Sequence, residues 1–573
     1  MGGVSSIGFD ELVGRAFKQD VEPYAYQRAL AVEGFPQVLR VSTGAGKTAA
    51  AVLPWLWWRR FHPDKSARDA TPRRLVVVLP QRALVEQTVD KATSWLDNLG
   101  LTGVEDGVGV HVLLGGASTD EQAWMMAPER DAVLVGTQDM VLSRLLMRGY
   151  AQQRASWPIS FGLLHADSLF VFDEVQLMGP GLPTSLQLEG LRTVLDTGLK
   201  SRSMWMSATV DPAELATADH PVPTTVLGLS EQDKAGSLRA RLEGTRWVEH
   251  AELPTQPARY PRTVAELALA RHRPGTRTLV IVNTVDRAVA IHRALTTLGP
   301  APSVVLVHSR FRPGDRATHL DAVLAAPTGA GTIAISTQVL EAGVDTSAAV
   351  LITEVASWPS IVQRAGRCNR EGTDHDAQLL WMRPPGKGFA APYREDDLTH
   401  AEEALRAWEG VAVTAGQLME KDVPQYRPVW SELRRWDLVE LFDTTPDVHG
   451  NDVDVTRWIR DAEDLTVSVA WRPIRDTDIS EWRFPAREEL CPAPVTAVRE
   501  RLARPGQLAR VYDRTDSTWR SATAADVRAG AVLVLDAGQG GYDPQTGFAA
   551  TSTTPGARTH TALRGRRLTS VIA

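Results

Sequence analysis

An apolar run, Val38 to Val41, passes directly into Ser42-Thr43-Gly44-Ala45-Gly46-Lys47-Thr48 and then into an alanine-rich helical start. Strand, glycine loop and helix in that order suit an α/β fold with a parallel sheet, in which strands feed the helices that cover them. Gly44 and Gly46 take backbone angles that aim successive N–H groups at an anion, and the helix N-terminus adds the positive end of its dipole. The loop Thr43, Gly44, Ala45, Gly46 is therefore expected to cradle phosphates. Lys47 is expected to reach the β- and γ-phosphates of ATP, and Thr48 to ligate Mg²⁺. Val41 stands where the strict pattern asks for Gly, but the Lys-Thr ending argues against a mere glycine-rich turn before a helix.

The rest of the chain repeats that rhythm. Leu75 to Leu79, Ala132 to Val135, Leu169 to Phe172 and Met204 to Ser207 are apolar, β-branched runs separated by helical stretches. A polar, proline-containing stretch, 252 to 257, intervenes. The rhythm then resumes at Thr278 to Val282, Val304 to Val307, Thr332 to Ile335, Ala349 to Ile352 and Leu379 to Trp381, and breaks at 384 to 388. Three domains are expected, over 1–225, 226–388 and 389–573, the last a mixed α+β accessory domain. A chain of 573 residues is too long for a single core.

Composition narrows the setting. No window nears the roughly twenty apolar residues a membrane span needs, and the N-terminus lacks a basic-then-apolar leader, so a cytoplasmic protein is expected; a monomer is expected as well. The start Met1-Gly2-Gly3-Val4-Ser5-Ser6 fits a loose myristoylation pattern that arises often by chance. Two cysteines, Cys368 and Cys491, are too few for a disulfide framework. A formal charge of −7 argues against bulk electrostatic coating of nucleic acid, so any strand must lie in a locally basic groove. The run Trp55, Leu56, Trp57, Trp58 sits on the helix after the phosphate loop, where core packing is expected rather than base stacking.

The second half of such a site should be an acid at the tip of another strand, and Leu169-Phe170-Val171-Phe172-Asp173-Glu174-Val175-Gln176 supplies it. Asp173 is placed to hold Mg²⁺, and Glu174 to orient or deprotonate an attacking water. With this motif the chain resembles the DExD/H-box helicases of superfamily 2. That resemblance implies two tandem RecA-like parallel-sheet domains and ATP with Mg²⁺ as cofactors. Tyr26-Gln27 then matches the adenine-reading position, and Pro80 to Gln87 and Gly136-Thr137-Gln138-Asp139 match strand-gripping motifs in which Arg82, Thr137 and Gln138 contact nucleic acid. Ser207-Ala208-Thr209 resembles the motif that links hydrolysis to domain movement. In the second domain Asn283-Thr284 and Ser336-Thr337-Gln338 close strands where exposed amides and hydroxyls hold a nucleic-acid backbone, and Leu340 to Asp345 brings Asp345 to the nucleotide. Gln363-Arg364-Ala365-Gly366-Arg367-Cys368-Asn369-Arg370 is the most specific match. Its spacing sets Gln363, Arg367 and Arg370 on one side of a helix, with both arginines as fingers on the transferred phosphoryl group.

Longer segments resemble the effector helicase of type I CRISPR systems, and most of all the subtype called G, formerly U. They are Phe172 to Pro183, His308-Ser309-Arg310-Phe311-Arg312-Pro313-Gly314-Asp315-Arg316, Trp436 to Thr445 and Gly540-Gly541-Tyr542-Asp543-Pro544. The resemblance implies 3′-to-5′ travel on single-stranded DNA after recruitment to an RNA-guided surveillance complex. That family pairs its motor with an HD nuclease, which is not legible here. The His375-Asp376 dipeptide falls in a turn, and His165 and Asp167 are expected to pack or be solvated. Cutting is expected from a separate HD nuclease polypeptide or from a segment beyond Ala573. The rival readings are a general DNA-repair or RNA helicase and a nucleotide-gated clamp, and the complete set of Glu174, Arg367 and Arg370 speaks against the clamp.

Overall fold

The structure is a computed structural model describing residues 7–42, 44–114, 123–150, 152–195, 199, 201–236, 238–253, 256–341, 344–386, 388–443, 453–461, 466–474, 482–513, 518–528 and 530–551. The first sheet holds β1 (Val38–Arg40), β2 (Arg74–Leu79), β3 (Gly109–Leu113), β4 (Ala132–Thr137), β5 (Ser168–Asp173), β6 (Arg202–Ser207) and β7 (Val226–Gly228), in the order β3-β4-β2-β5-β6-β1-β7. All neighbours run parallel. Every residue of β2, β4 and β5 is buried, as strands covered by helices on both faces must be. The Trp run packs as its place predicts: Trp55 is fully buried, and the indole N–H groups of Trp57 and Trp58 donate to the Ile7 and Leu30 carbonyls.

The second sheet holds β8 (Thr245–His250), β9 (Arg277–Ile281), β10 (Ser303–Val307), β11 (Thr332–Ser336), β12 (Val350–Glu354), β13 (Gln378–Met382) and β14 (Ala412–Thr414), in the order β10-β11-β9-β12-β13-β8-β14. Strand for strand this is the order of the first sheet, advanced by seven along the chain. The two tandem RecA-like units thus share one topology. The last strand differs, since β14 pairs antiparallel with β8 while β7 runs parallel to β1.

The units do not end where composition suggests. β7 closes the first sheet beyond residue 225, and Leu238 packs into the same core. The second unit runs past 388: Leu398, Ala401, Leu405, Val413 and Leu418 join Val248, Leu351 and Trp381 in one core. The chain then returns to the first unit, where Leu433, Leu441, Val455, Trp458 and Ile459 pack with Phe172 and Trp205. Only the remainder forms a module of its own. It holds β15 (Thr466–Arg472), β16 (Cys491–Pro494), β17 (Ala509–Asp513), β18 (Thr518–Ser521) and β19 (Val532–Asp536), ordered β16-β15-β19-β17-β18, with β20 (Tyr542–Asp543) and β21 (Gly547–Phe548) as a hairpin.

Two of the family-like segments dock on each other and fix this module to the second unit. The Arg312 guanidinium lies over the Tyr542 and Trp471 rings, 4.3 and 5.0 Å from their centroids. The Arg312 N–H donates to Tyr542 Oη at 3.0 Å, and that hydroxyl donates to the Asp315 carboxylate. His308, fully buried, faces the Thr546 carbonyl at 3.2 Å. Gly547 has φ +73°, and a Cβ there would lie 2.3 Å from the Arg310 carbonyl oxygen, so only glycine fits. Thr444 and Thr445 of the third such segment lie outside the described residues. Among the described residues no helix is long and apolar enough to cross a membrane.

Candidate nucleotide site and strand-facing residues

The C-terminal ends of β1, β6 and β5 lie side by side, which brings the glycine loop, Ser207 and the acid pair to one edge. Gly44 and Gly46 have φ of +87° and +82°, and a Cβ on Gly44 would sit 2.8 Å from an Arg370 guanidinium nitrogen. The helix Lys47–Leu56 starts at Gly46 with no side-chain cap, so its first-turn N–H groups suit an anion. Tyr26 Oη donates to the Ala45 carbonyl at 2.6 Å. Gln27 Nε2 donates to the Gly46 carbonyl at 3.2 Å, while its Oε1 accepts the Tyr24 N–H at 3.0 Å. Gln27 thereby braces the loop that it is expected to complement. Thr43 lies outside the described residues, and Thr48 is half-buried in the first helical turn.

Lys47 is buried against the acid pair, with Nζ 2.5 Å from Glu174 Oε1 and 3.2 Å from Asp173 Oδ1. Burial opposes its charge, but the attraction of Asp173 and Glu174 outweighs that and raises its pKa. Asp173 is pushed up by burial, whereas Lys47 and the amide of Gln176 hold Glu174 below its usual value despite burial. Glu174 sits at φ +52°, a strained conformation for a residue with a side chain. Gln176 Nε2 donates to Glu174 Oε2 at 2.6 Å, and Ser207 Oγ donates to Gln176 Oε1 at 2.8 Å. Ser207 Oγ in turn accepts the Thr209 and Val210 N–H groups. A relay thus runs from Glu174 to the tip of β6. The hydroxyl of Thr48 and the carboxylate of Asp173 are hard oxygen donors of the kind Mg²⁺ takes, so the residues fit that ion.

The second unit supplies the opposite wall. Gln363 is buried, and neither atom of its amide has a hydrogen-bond partner in the protein, the state expected of a group that meets a ligand. The Arg370 guanidinium lies over Gly44 and pairs with Asp345 at 2.8 Å. Arg367 donates to the Leu340 and Glu341 carbonyls at 3.2 and 2.7 Å. Burial and then Arg370 pull it down to about 10, which leaves it charged at neutral pH. Arg241, between the units, donates to the Gly44 carbonyl at 2.8 Å and pairs with Glu371 at 3.1 Å.

The strand-facing residues divide. Arg82 is exposed at the head of the helix Arg82–Asn98. Thr137 precedes the helix Gln138–Leu145 without a side-chain cap and is 7% exposed, while Gln138 Nε2 donates to the Ile459 carbonyl at 3.2 Å and so docks the returning segment. Asn283, expected to be exposed, is 3% exposed and spent internally: it donates to the Val355 carbonyl and accepts from Arg364. Thr337 is equally buried. Thr284 accepts the Arg287 N–H as a helix cap, and Gln338 donates to the Asn283 carbonyl. The reason is Arg364. Fully buried, it joins Glu341, Thr353, Glu354, Asn283 and Tyr393, and so ties together the ends of β9, β11 and β12. Arg364, Gln176 and Tyr26 stand inside the sequence motifs, but their roles depend on three-dimensional partners that spacing does not reveal, and Arg241 lies outside every motif.

Residues 24–218 match the DEAD/DEAH box helicase family, and residues 274–373 match the family described as CRISPR-associated nuclease/helicase Cas3, C-terminal. A Cas3-type nuclease/helicase relative from Myxococcus xanthus is 32% identical over 411 residues, covering 67% of this chain and 48% of its own length. A CRISPR-associated helicase Cas3 of Thermoproteus tenax is 34% identical over 133 residues, 23% of this chain and 22% of that protein. The chain spans about half the length of the Myxococcus relative. Among solved structures, T. fusca Cas3 superposes with a TM-score of 0.62 at 16% identity, covering 95% of this chain and 72% of that one. The DUF1998 helicase MrfA bound to DNA gives 0.57 at 15% identity, over 92% and 73%. Both likenesses speak for the fold.

Proposed function

We propose that this chain, which carries a DEAD/DEAH box helicase domain followed by a Cas3-like C-terminal domain, is an ATP-driven motor that moves 3′-to-5′ along single-stranded DNA in CRISPR interference. The observation that carries the reading is the cleft itself: the glycine loop and Glu174, which Lys47 ties to Asp173, line one wall, Gln363 and Arg370 line the other, and the Arg370 guanidinium lies over Gly44.

The chemistry follows from the charges. Phosphates entering the loop draw Lys47 from the acid pair, because a triphosphate offers more negative charge than one carboxylate. Thr48 and Asp173 would hold Mg²⁺, whose charge offsets that of the β- and γ-phosphates. Glu174, released from Lys47 and still bonded to Gln176, takes the proton of the water that attacks the γ-phosphorus. As that bond forms, the bond to the β–γ bridging oxygen breaks and ADP leaves. Arg367 and Arg370 stabilise the spreading charge, which makes hydrolysis depend on closure of the second unit onto the first. The Cas3-like match and the Myxococcus relative, both described as CRISPR-associated nuclease/helicases, support a CRISPR setting and a nuclease acting alongside; single-stranded DNA as the track and recruitment by an RNA-guided complex are part of the proposal.

The test is ATP turnover with and without single-stranded DNA, and with RNA in its place. Wild type should be stimulated by DNA. Lys47→Ala should lose turnover, and Glu174→Gln should slow it by about 10²- to 10⁴-fold while still binding ATP. Absent turnover in the wild type, or variants that match it, would sink the motor; stimulation by RNA alone would point to an RNA helicase.

A further inference from the structure

Arg246, the second residue of β8, is 1% exposed, and among the described residues no carboxylate pairs with it. Its Nε and Nη1 are buried without a hydrogen-bond partner. Arg364, buried just as deeply, is bonded at each of its guanidinium nitrogens. The strand explains where Arg246 lies. It shares a face with Val248, which packs in the second unit's core beside Ile361 and Leu418, whereas Trp247 on the opposite face is 47% exposed. Next to it, the Thr245 carbonyl accepts from Asn369 Nδ2 at 2.8 Å, which ties this end of β8 to the segment that carries Arg367 and Arg370. The cavity of the nucleotide cleft reaches this point: Glu174, Gln363 and Arg370 line it together with Arg246, and Leu242, Val362 and Leu418 give it an apolar wall.

Burial holds Arg246 below the ordinary guanidinium value, and the Cys368 thiol acts the other way. A guanidinium keeps its proton even so, and an unpaired one in an apolar setting is unfavourable. The cavity thus offers a cation to an anion that enters it. Gln363 adds an amide nitrogen and an amide oxygen, both buried and both without a partner. Phosphate that keeps one proton matches this set: its charged oxygens accept from Arg246 and the amide N–H, and its hydroxyl donates to the amide oxygen. The apolar wall suits a small anion held from one side. We infer that Arg246 and Gln363 form a holding site for inorganic phosphate, which receives the product of hydrolysis before it leaves the cleft. The cavity is continuous from the glycine loop and Glu174 to Arg246, so phosphate has a path there while ADP keeps the loop. The inference rests on the motor reading only in naming ATP as the source of the phosphate.

The test follows thermal unfolding of the full chain as sodium phosphate is added, against sodium chloride at equal ionic strength, with and without Mg·ADP. A ligand that binds the folded state raises Tm with its concentration. Wild-type Tm should rise with phosphate and not with chloride, and the rise should persist with Mg·ADP, which occupies the loop. Arg246→Met removes an unpaired buried charge, so its Tm without phosphate should equal or exceed that of wild type. Its apparent phosphate affinity should fall about tenfold or more, as for a lost hydrogen bond to a charged group. Gln363→Leu should weaken the phosphate response as well and tests the site independently. A response in either variant equal to wild type would overturn the site. So would a wild-type response that chloride reproduces or Mg·ADP abolishes, because the anion would then bind elsewhere or in the loop. An Arg246→Met protein that fails to fold would show the guanidinium to be paired within the protein, and would overturn it too. A wild type with this phosphate response but no ATP turnover would count against the motor and leave the anion site standing.

Discussion

Lys47 is poised between two sets of negative charge. It pairs with Asp173 and Glu174, whose burial would otherwise be unfavourable for two adjacent carboxylates. The acid pair is therefore kept ready by the residue that later leaves it. Gln176 is the less obvious partner, because it joins Glu174 to Ser207 and so to the tip of β6. Gln176→Ala should leave ATP binding close to wild type but reduce the stimulation of turnover by single-stranded DNA. Equal stimulation in both proteins would remove the relay from the account. The strand-loop-helix and acid-tip patterns single out Lys47, Asp173 and Glu174, and the helicase resemblance singles out Arg367 and Arg370, because each lies in a contiguous motif. The role of Arg364 is not legible in that way: it depends on which strand ends meet, and one-dimensional spacing does not contain that.

Among the elements, the strand rhythm gave the sheets, and the boundaries were lost for a physical reason. β14 is three residues long and pairs with β8 from far away in sequence, so no local pattern marks it as part of the second sheet. Likewise Leu433, Leu441, Val455 and Trp458 are too scattered to announce that they cover the first unit. The joint between the segment 308–316 and the β20–β21 hairpin is a dense buried contact, and it contains a titratable group. Burial, and then Arg310, pull His308 down to about 3. Folding thus keeps it neutral where an unfolded chain would take up a proton, so its stabilising contribution is complete above about pH 6.5 and is lost as pH falls toward 3. Going from about pH 7 to pH 5 should cost about 2 kcal/mol from this group. Urea unfolding at both pH values should show His308→Leu with a weaker pH dependence than wild type; identical dependence would refute the assignment.

At the scale of the whole molecule, two units of one topology face each other across the cleft, and the C-terminal module rides on the second. Tyr542 is the pin of that attachment. Tyr542→Phe removes the bonds to Asp315 and to the Arg312 N–H and should lower the module's unfolding free energy by about 1–3 kcal/mol, read by hydrogen exchange over 466–551. Unchanged exchange would mean that ring packing alone holds the joint. The wider consequence concerns closure. Arg370 already reaches the loop of the first unit, and Arg241 binds the same Gly44 carbonyl from the connecting segment, so the loop senses the position of the second unit. The central claim is that hydrolysis requires this cross-cleft contact. Its most direct measurement is DNA-stimulated ATP turnover in wild type and Arg370→Ala, with ATP binding measured in parallel. The expected result is stimulated turnover in wild type and a loss of about 10³-fold or more in the variant, with ATP still bound. Turnover in Arg370→Ala equal to wild type would contradict the account.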